Sequence, residues 1–215
     1  MIAMGEKLLA YDASFTTFTG IEFFPFAPRL DHVHLLDIAH ALARQCRYGG
    51  HVSTEHYSVA EHSVLVSSVV PPADALWGLL HDGDEAYLPD LPTPIKRAFP
   101  AYKTAGDRLR AVVLRRFGLP LEEPASVREA DQRIRVTEQR ALFKNRPRNP
   151  SAAAPNRACR AIEAVPTNLE PYAIPIVGLT PALAERAFLQ RFYALTSGPD
   201  HSRPSTDGAV GGRAR

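Results

Sequence analysis

The stretch GLLHDGDEAYLPDLPTPIK, residues 78–96, decides how this chain is interpreted. It begins inside an apolar helical run, ends that run with the dipeptide His81-Asp82, and continues with Glu85 and Asp90 into a segment that contains three prolines. Prolines at this density exclude a regular helix interior, so the last part is expected to be a loop. Charges beside apolar sequence are costly unless a metal, hydrogen bonds or water compensates them. The stretch therefore predicts a helix that delivers polar groups to a site covered by a loop.

Helical periodicity extends from this stretch in both directions, because apolar residues recur at the three- and four-residue steps of an amphipathic helix. Helices are predicted over residues 35–46, 59–69, 73–80, 102–117, 127–143 and 181–195. The chain is therefore expected to be all-α, a compact helical bundle. Its expected divisions are a short N-terminal arm or hairpin (1–30), a main domain (31–197) and a disordered tail (198–215) with almost no apolar content.

The composition is that of an average globular domain and gives no sign of a nucleic-acid or membrane partner. Of the 215 residues, 45% are apolar and 22% charged, and the formal net charge of +2 gives no reason to expect a nucleic-acid or membrane partner. No apolar run approaches the roughly 20 residues that span a bilayer, and the N-terminus lacks the pattern of a secretory signal. Cys46 and Cys159 belong to no CxxC pair and are expected to be free thiols, which favours a cytoplasmic location.

Three predicted helices carry residues that suit a divalent metal. Ser58 and Glu61 form an S-x-x-E capping box, which places His62 in the first turns of its helix. His81 and Asp82 lie at the end of the next helix, and Asp131 lies on a later one. Imidazole nitrogen and carboxylate oxygen together suit zinc, manganese, cobalt or iron. His51 and His56 are near enough in sequence to act as spare or supporting ligands.

Each candidate also has an ordinary structural interpretation. Any one of eight histidines is more often a surface or core residue than a ligand. Glu85 could be a solvated helix-end carboxylate, and Arg47 a cation that complements a helix C-terminus. Asp90 could stabilise a turn, and Lys96 could simply be exposed. Spacing alone leaves both interpretations open.

The ordered set EH (61–62), LLHD (79–82), Glu85, Asp90, LPTPIK (91–96) and AD (130–131) resembles the HD-domain metal-dependent phosphohydrolases. Within that family it is similar to the 5′-deoxynucleotidases and to the related phage enzymes that remove triphosphate from dATP. The resemblance covers about residues 35–145. Its specific part is HDxxE followed at matching distance by D-L-P-T-P-x-K.

The resemblance implies one divalent ion, manganese, cobalt, zinc, iron or magnesium, bound by four residues, namely His62, His81, Asp82 and Asp131. It implies that Glu85 orients or deprotonates the attacking water and that Asp90 binds the deoxyribose 3′-hydroxyl. Arg47 matches a phosphate-binding arginine, and Tyr48 replaces a tryptophan near the sugar. Lys96 is a further candidate for positive charge at the phosphate.

The expected activity is metal-dependent hydrolysis of (deoxy)nucleoside 5′-monophosphates to nucleoside and phosphate by an HD-type domain over residues 31–197. One alternative is a dATP-type triphosphohydrolase. Another, from a different class, is a nucleotide-binding regulatory module without turnover, whose mark would be the loss of a ligand or of Glu85. All of these residues are present, which favours the enzyme. A homodimer is compatible with the resemblance.

Overall fold

The computed structural model describes residues 13–89, 91, 95, 98–143 and 169–197. Within these residues the fold is all-α, as predicted, with six α-helices and one two-stranded hairpin. The helices are α1 (Leu35–Arg44), α2 (Val59–Val69), α3 (Ala75–Leu80), α4 (Pro100–Arg116), α5 (Ala125–Leu142) and α6 (Pro181–Thr196). The antiparallel strands are β1 (Phe15–Thr16) and β2 (Glu22–Phe23). No described helix is both long enough and apolar enough to cross a membrane.

The helix boundaries follow local capping chemistry. The Ser58 hydroxyl accepts a hydrogen bond from the Glu61 amide at 3.0 Å, and the Thr180 hydroxyl accepts one from the Leu183 amide at 3.4 Å. Helix α1 ends two residues earlier than predicted, because the chain turns extended at Gln45 and Cys46 forms an isolated antiparallel bridge with Ser58. This bridge closes a loop of residues 46–58 whose base is fixed at the start of α2.

The core forms where α1, α2, α3 and α6 pack together, with α4 closing the side. Its fully buried apolar side chains include Ile38, Leu42, Leu79, Leu109 and Phe188. Burial of each such side chain is worth roughly 1.5–3 kcal/mol. Because α2 and α3 are both anchored in this core, the polar residues that they carry are held on rigid elements.

A C-terminal strap, residues 169–179, runs without regular structure over α5 and α2 into the start of α6. The Arg133 guanidinium lies 4.0 Å from the centre of the Tyr172 ring. At the other end, the Glu61 carboxylate accepts three backbone hydrogen bonds, from Val177 at 3.2 Å, Gly178 at 3.0 Å and Leu179 at 2.7 Å. The capping box is thus confirmed in its hydroxyl half, whereas the Glu61 carboxylate binds the strap.

Several predictions fall outside the described residues. These are Asp90 and Lys96 of the proline-rich segment, Cys159, and the expected disordered tail at 198–215. The hairpin lies within the expected N-terminal arm, and the domain boundaries at 30 and 197 stay predictions.

Candidate metal centre

Three helices bring four predicted ligands together. His62 lies in the first turn of α2, His81 directly follows α3, and Asp131 lies in the second turn of α5. The His62 Nε2 atom is 3.2 Å from His81 Nε2 and 3.2 Å from Asp131 Oδ1. Ligand atoms of His62, His81 and Asp131 all lie within 4.8 Å of one another, and the group could hold a metal ion.

Asp82 lies at the edge of this group. Its Oδ2 atom is 3.1 Å from His81 Nε2 and 3.8 Å from His62 Nε2. The same oxygen is 3.6 Å from Arg47 Nη1. Asp82 therefore lies between the imidazole pair and a guanidinium, where it could contact both a metal and a substrate.

The hydrogen bonds of the two imidazoles determine their tautomers. His81 Nδ1 is 2.8 Å from the Gly78 carbonyl oxygen, which can only accept, so Nδ1 carries the proton. His62 Nδ1 is 2.6 Å from Glu138 Oε1 and donates to it. In the neutral imidazoles, both Nε2 lone pairs then face each other across 3.2 Å. Two nitrogens bound to one ion at roughly 2.0–2.1 Å lie about 3 Å apart, so the pair is spaced for a shared cation.

The charges around the two imidazoles also favour a bound cation. Burial raises the pKa of the Asp82 carboxyl, but His81, His62 and Arg47 hold it well below its usual range. Burial likewise raises the pKa of Asp131 and Glu138, but His62 lowers the first, and Arg47 and His62 lower the second. The carboxylates of Asp82, Asp131 and Glu138 thus surround the two imidazoles with one guanidinium, Arg47, among them, which leaves two excess negative charges when both imidazoles are neutral.

The pKa of His62 reports the same excess of negative charge. Burial and the nearby Arg47 guanidinium lower it, but Glu138 and the hydrogen bond with Asp131 raise it to about 9. Without a metal, a proton on His62 partly compensates the carboxylates. A metal ion would have to displace that proton, because both bind to the same Nε2 atom of His62.

Arg47 and Tyr48 occupy a tight turn beside the ligands. Tyr48 adopts a left-handed backbone conformation with φ of 56°, and Gly49 follows with φ of 60°. This turn directs Arg47 into the protein, where its residue is 8% exposed and its Nη2 lies 3.5 Å from Glu138 Oε2. The Tyr48 hydroxyl donates to the same oxygen. Of the predicted substrate residues, Arg47 thus lies next to the predicted ligand Asp82, and Tyr48 is joined to the site through Glu138.

Glu85 is buried in the short 3₁₀ turn Gly83–Ala86, directly after Asp82. Its amide donates to the Asp82 carbonyl at 3.0 Å, and its carbonyl accepts from the Gln45 side chain at 2.8 Å. Two histidines considered as spare ligands lie elsewhere, since His51 is exposed and His56 Nε2 contacts the Ala43 carbonyl at 2.9 Å. His56 instead braces the end of α1.

Glu138 is the site residue that sequence reasoning missed. Its side chain is fully buried and contacts His62, Arg47, Tyr48 and Tyr57. A signal was present, because Glu138 is seven residues after Asp131, two helical turns along the same face. It also interrupts an apolar stripe, formed by Val127, Ala130, Ile134 and Leu142, with a charge. Such a residue needs a buried partner.

No protein-family model matches the chain. It is similar to the uncharacterized protein YfdR of Escherichia coli strain K12, with 40% identity over 126 residues, or 59% of this chain and 70% of YfdR. It is also similar to an uncharacterized protein of Rhodobacter capsulatus, with 41% identity over 107 residues. That match covers 46% of this chain and 55% of the Rhodobacter protein.

Proposed function

This chain belongs to the family of the Escherichia coli protein YfdR, and we propose that it is a metal-dependent phosphohydrolase. Its substrates would be (deoxy)nucleoside 5′-monophosphates, and its products nucleoside and inorganic phosphate. The observation that carries the proposal is the pair of buried Nε2 atoms of His62 and His81, 3.2 Å apart, with the carboxylates of Asp82 and Asp131 and the Arg47 guanidinium beside them.

His62, His81, Asp82 and Asp131 would hold the metal. Two imidazoles and two carboxylates are typical ligands for manganese, iron, cobalt or zinc, while magnesium favours oxygen ligands more strongly. A bound divalent ion would polarise a phosphate oxygen and lower the pKa of the water that it binds. His81 and Asp82 are consecutive, and the end of α3 lets both side chains reach one centre because the helix stops there.

Arg47 supports the assignment of phosphate as the reacting group. Its guanidinium lies 3.6 Å from Asp82 and 3.5 Å from Glu138, both beyond a short hydrogen bond. Among the described residues its Nε atom has no hydrogen-bond partner. Burial lowers the pKa of Arg47, but Glu138 and Asp82 raise it above its ordinary value, so the cation persists. A planar fork with unused donors beside the metal ligands suits a phosphate oxygen.

Glu85 is proposed as the residue that orients or deprotonates the attacking water. It follows Asp82 by three residues and is buried on the same turn. Asp90 is proposed, from the family resemblance, to bind the sugar 3′-hydroxyl, and Lys96 is proposed to add positive charge at the phosphate. The nucleoside part of the substrate also rests on that resemblance, through the D-L-P-T-P-x-K segment.

The test is a substrate panel on chelator-stripped full-length protein to which one metal at a time is returned. Deoxynucleoside and ribonucleoside monophosphates and dNTPs are incubated, and products are separated by chromatography. Phosphate and nucleoside from monophosphates are expected. Nucleoside with intact triphosphate would assign the triphosphohydrolase reaction instead. Tight metal binding without turnover of any nucleotide would contradict the enzyme and support a binding module.

The role of Glu85 is tested by Glu85→Ala in the same assay. Turnover should be lost while the bound metal per chain stays equal to that of the parent protein. Loss of metal together with turnover would show that Glu85 serves the metal site rather than the water. An Asp82→Asn preparation, purified in parallel, controls for contaminating phosphatases.

A further inference from the structure

We infer that Glu138 is a positioning residue that couples the metal-ligating imidazole of His62 to the phosphate-binding pair Arg47–Tyr48. The inference rests on the proposed function, since it assigns those groups to metal and phosphate. It goes beyond that proposal because Glu138 is itself neither ligand nor substrate contact. Its carboxylate acts through the side chains that it holds.

The two carboxylate oxygens of Glu138 contact different partners. Oε1 accepts from His62 Nδ1 at 2.6 Å and from the Tyr57 hydroxyl at 2.7 Å. Oε2 accepts from the Tyr48 hydroxyl and lies 3.5 Å from Arg47 Nη2. One oxygen therefore fixes a metal ligand, and the other fixes the substrate arm.

The first oxygen controls where His62 points. With Nδ1–H held by Glu138, the Nε2 lone pair is directed to the point where His81 and Asp131 converge, each 3.2 Å away. A carboxylate behind a ligating imidazole also raises the basicity of the ligand. Removal of such a partner typically weakens metal affinity by 10- to 100-fold.

The second oxygen holds the side chains of a segment that lies outside the α-helices. Arg47 and Tyr48 lie in a left-handed turn rather than on a helix. Glu138 and Asp82 are the carboxylates that face the Arg47 guanidinium. Without Glu138, the arm would lose its polar link to α5, and the Arg47 guanidinium would be free to shift toward Asp82.

All four partners of Glu138 are hydrogen-bond donors, which makes Glu138→Gln informative. In either orientation the amide NH₂ would face one tyrosine hydroxyl, which can reverse its hydrogen bond, and one group that only donates, His62 Nδ1–H or the Arg47 guanidinium, whose contact must open. The full-length variant is compared with Glu129→Gln, the same change at a side chain that is 61% exposed on the same helix. Mn²⁺ and Zn²⁺ affinities are measured by calorimetry or chelator competition, alongside the melting temperature and KM for the preferred nucleotide.

The expected result is a 10- to 100-fold weaker metal affinity and a raised KM in Glu138→Gln, with Glu129→Gln unchanged. Metal affinity equal to that of the parent protein in folded Glu138→Gln would overturn the inference and leave the proposed metal site standing. A parent protein that binds no divalent metal would overturn the proposed function, and the inference with it.

Glu138→Asp keeps the inference testable where Glu138→Gln does not fold. It retains the charge but withdraws the carboxylate by one methylene from His62 and Tyr48. Weakened metal affinity is again expected, and restoration of parent affinity by Asp would show that charge alone, rather than position, matters. That outcome would overturn the positioning role.

Discussion

Glu61 and His62 are consecutive residues on the first turn of α2, and both are buried, yet their surroundings differ. The Glu61 carboxylate accepts three backbone hydrogen bonds from the strap. Its environment is complete with protein groups alone. His62 Nε2 instead lies 3.2 Å from His81 Nε2, 3.2 Å from Asp131 Oδ1 and 3.8 Å from Asp82 Oδ2, so it faces a second imidazole and two carboxylates. The difference separates a buried polar group that stabilises the fold from one whose surroundings could hold a metal ion.

Glu61 and His62 differ in whether their polar atoms have suitable hydrogen-bond partners, not in how deeply they are buried. A buried carboxylate with three N–H donors contributes to stability, and its loss leaves donors unsatisfied at about 1–3 kcal/mol each. A buried cluster of carboxylates and imidazoles that is only partly compensated costs stability, and such clusters of groups with shifted pKa values are found at functional sites. Changes at the two neighbouring residues should therefore have opposite consequences for stability and for ligand binding.

Asp131→Asn should give the largest effect, on activity. Asn keeps the volume but removes the charge of a proposed metal ligand, so kcat/KM with optimal metal should fall at least 1,000-fold, roughly 4 kcal/mol of transition-state stabilisation. In the parent protein, saturating metal should raise the melting temperature, because a ligand at 100 times its Kd adds about 2.7 kcal/mol. The variant should lose most of that increase. Metal-dependent turnover within tenfold of the parent would show that Asp131 is not a ligand.

Glu61→Ala should give the largest effect on stability. Three strap amides lose their acceptor, and the free energy of unfolding should fall by about 3 kcal/mol, measured by urea denaturation. The metal affinity of the folded variant should stay within about twofold of the parent, an effect below about 0.5 kcal/mol. Glu129→Ala, at an exposed position on α5, is the control. A tenfold loss of metal affinity without loss of stability would show that Glu61 serves the metal site rather than the fold.

Gly178→Ala tests the strap where it contacts the loop at residues 46–58. Gly178 has φ of +75°, and a Cβ there would lie 2.8 Å from the His56 carbonyl oxygen. Gly118, at the end of α4, has φ of +69° with nothing within 4 Å of its would-be Cβ. Gly118→Ala should therefore lose about 1 kcal/mol from backbone strain alone. Gly178→Ala should lose about 2 kcal/mol or more, because a clash is added. Equal losses in urea denaturation would show that the strap moves away freely.

The fold was largely readable from sequence because its signals are local. Apolar periodicity gave the six helices, and Ser58 and Thr180 marked two starts through side chains three residues from their donors. Ligand chemistry and helix placement already grouped His62, His81, Asp82 and Asp131 as candidate ligands, and the family resemblance favoured that grouping over the ordinary structural interpretation. The structure places the four together. Their roles, and that of Glu85, stay predictions.

The features that could not be predicted from the sequence depend on contacts between residues far apart in the chain. The partners of Glu61 are 116 to 118 residues away in the strap, and no periodicity announces that segment. Tyr48 adopts a left-handed conformation that its residue type disfavours. Its hydroxyl partner is 90 residues further on. Glu138 could have been suspected from its place on a buried stripe, but its four donors come from elements that only the tertiary fold assembles.

Tyr48→Phe should give the smallest effect, and it tests whether substrate binding and metal binding can be changed separately. The change removes a single hydrogen bond to Glu138 Oε2 and keeps the aromatic ring, which packs edge-on at 5.1 Å from Phe143. One such bond is worth about 1 kcal/mol, so KM for the preferred nucleotide should rise about fivefold. Metal affinity should stay unchanged, because His62 is held by the other oxygen. Both are measured on the same preparation, together with the deoxy-to-ribo ratio. A metal affinity that falls as far as KM rises would show that Glu138 responds as one unit, and that metal and substrate arm cannot be separated at its two oxygens.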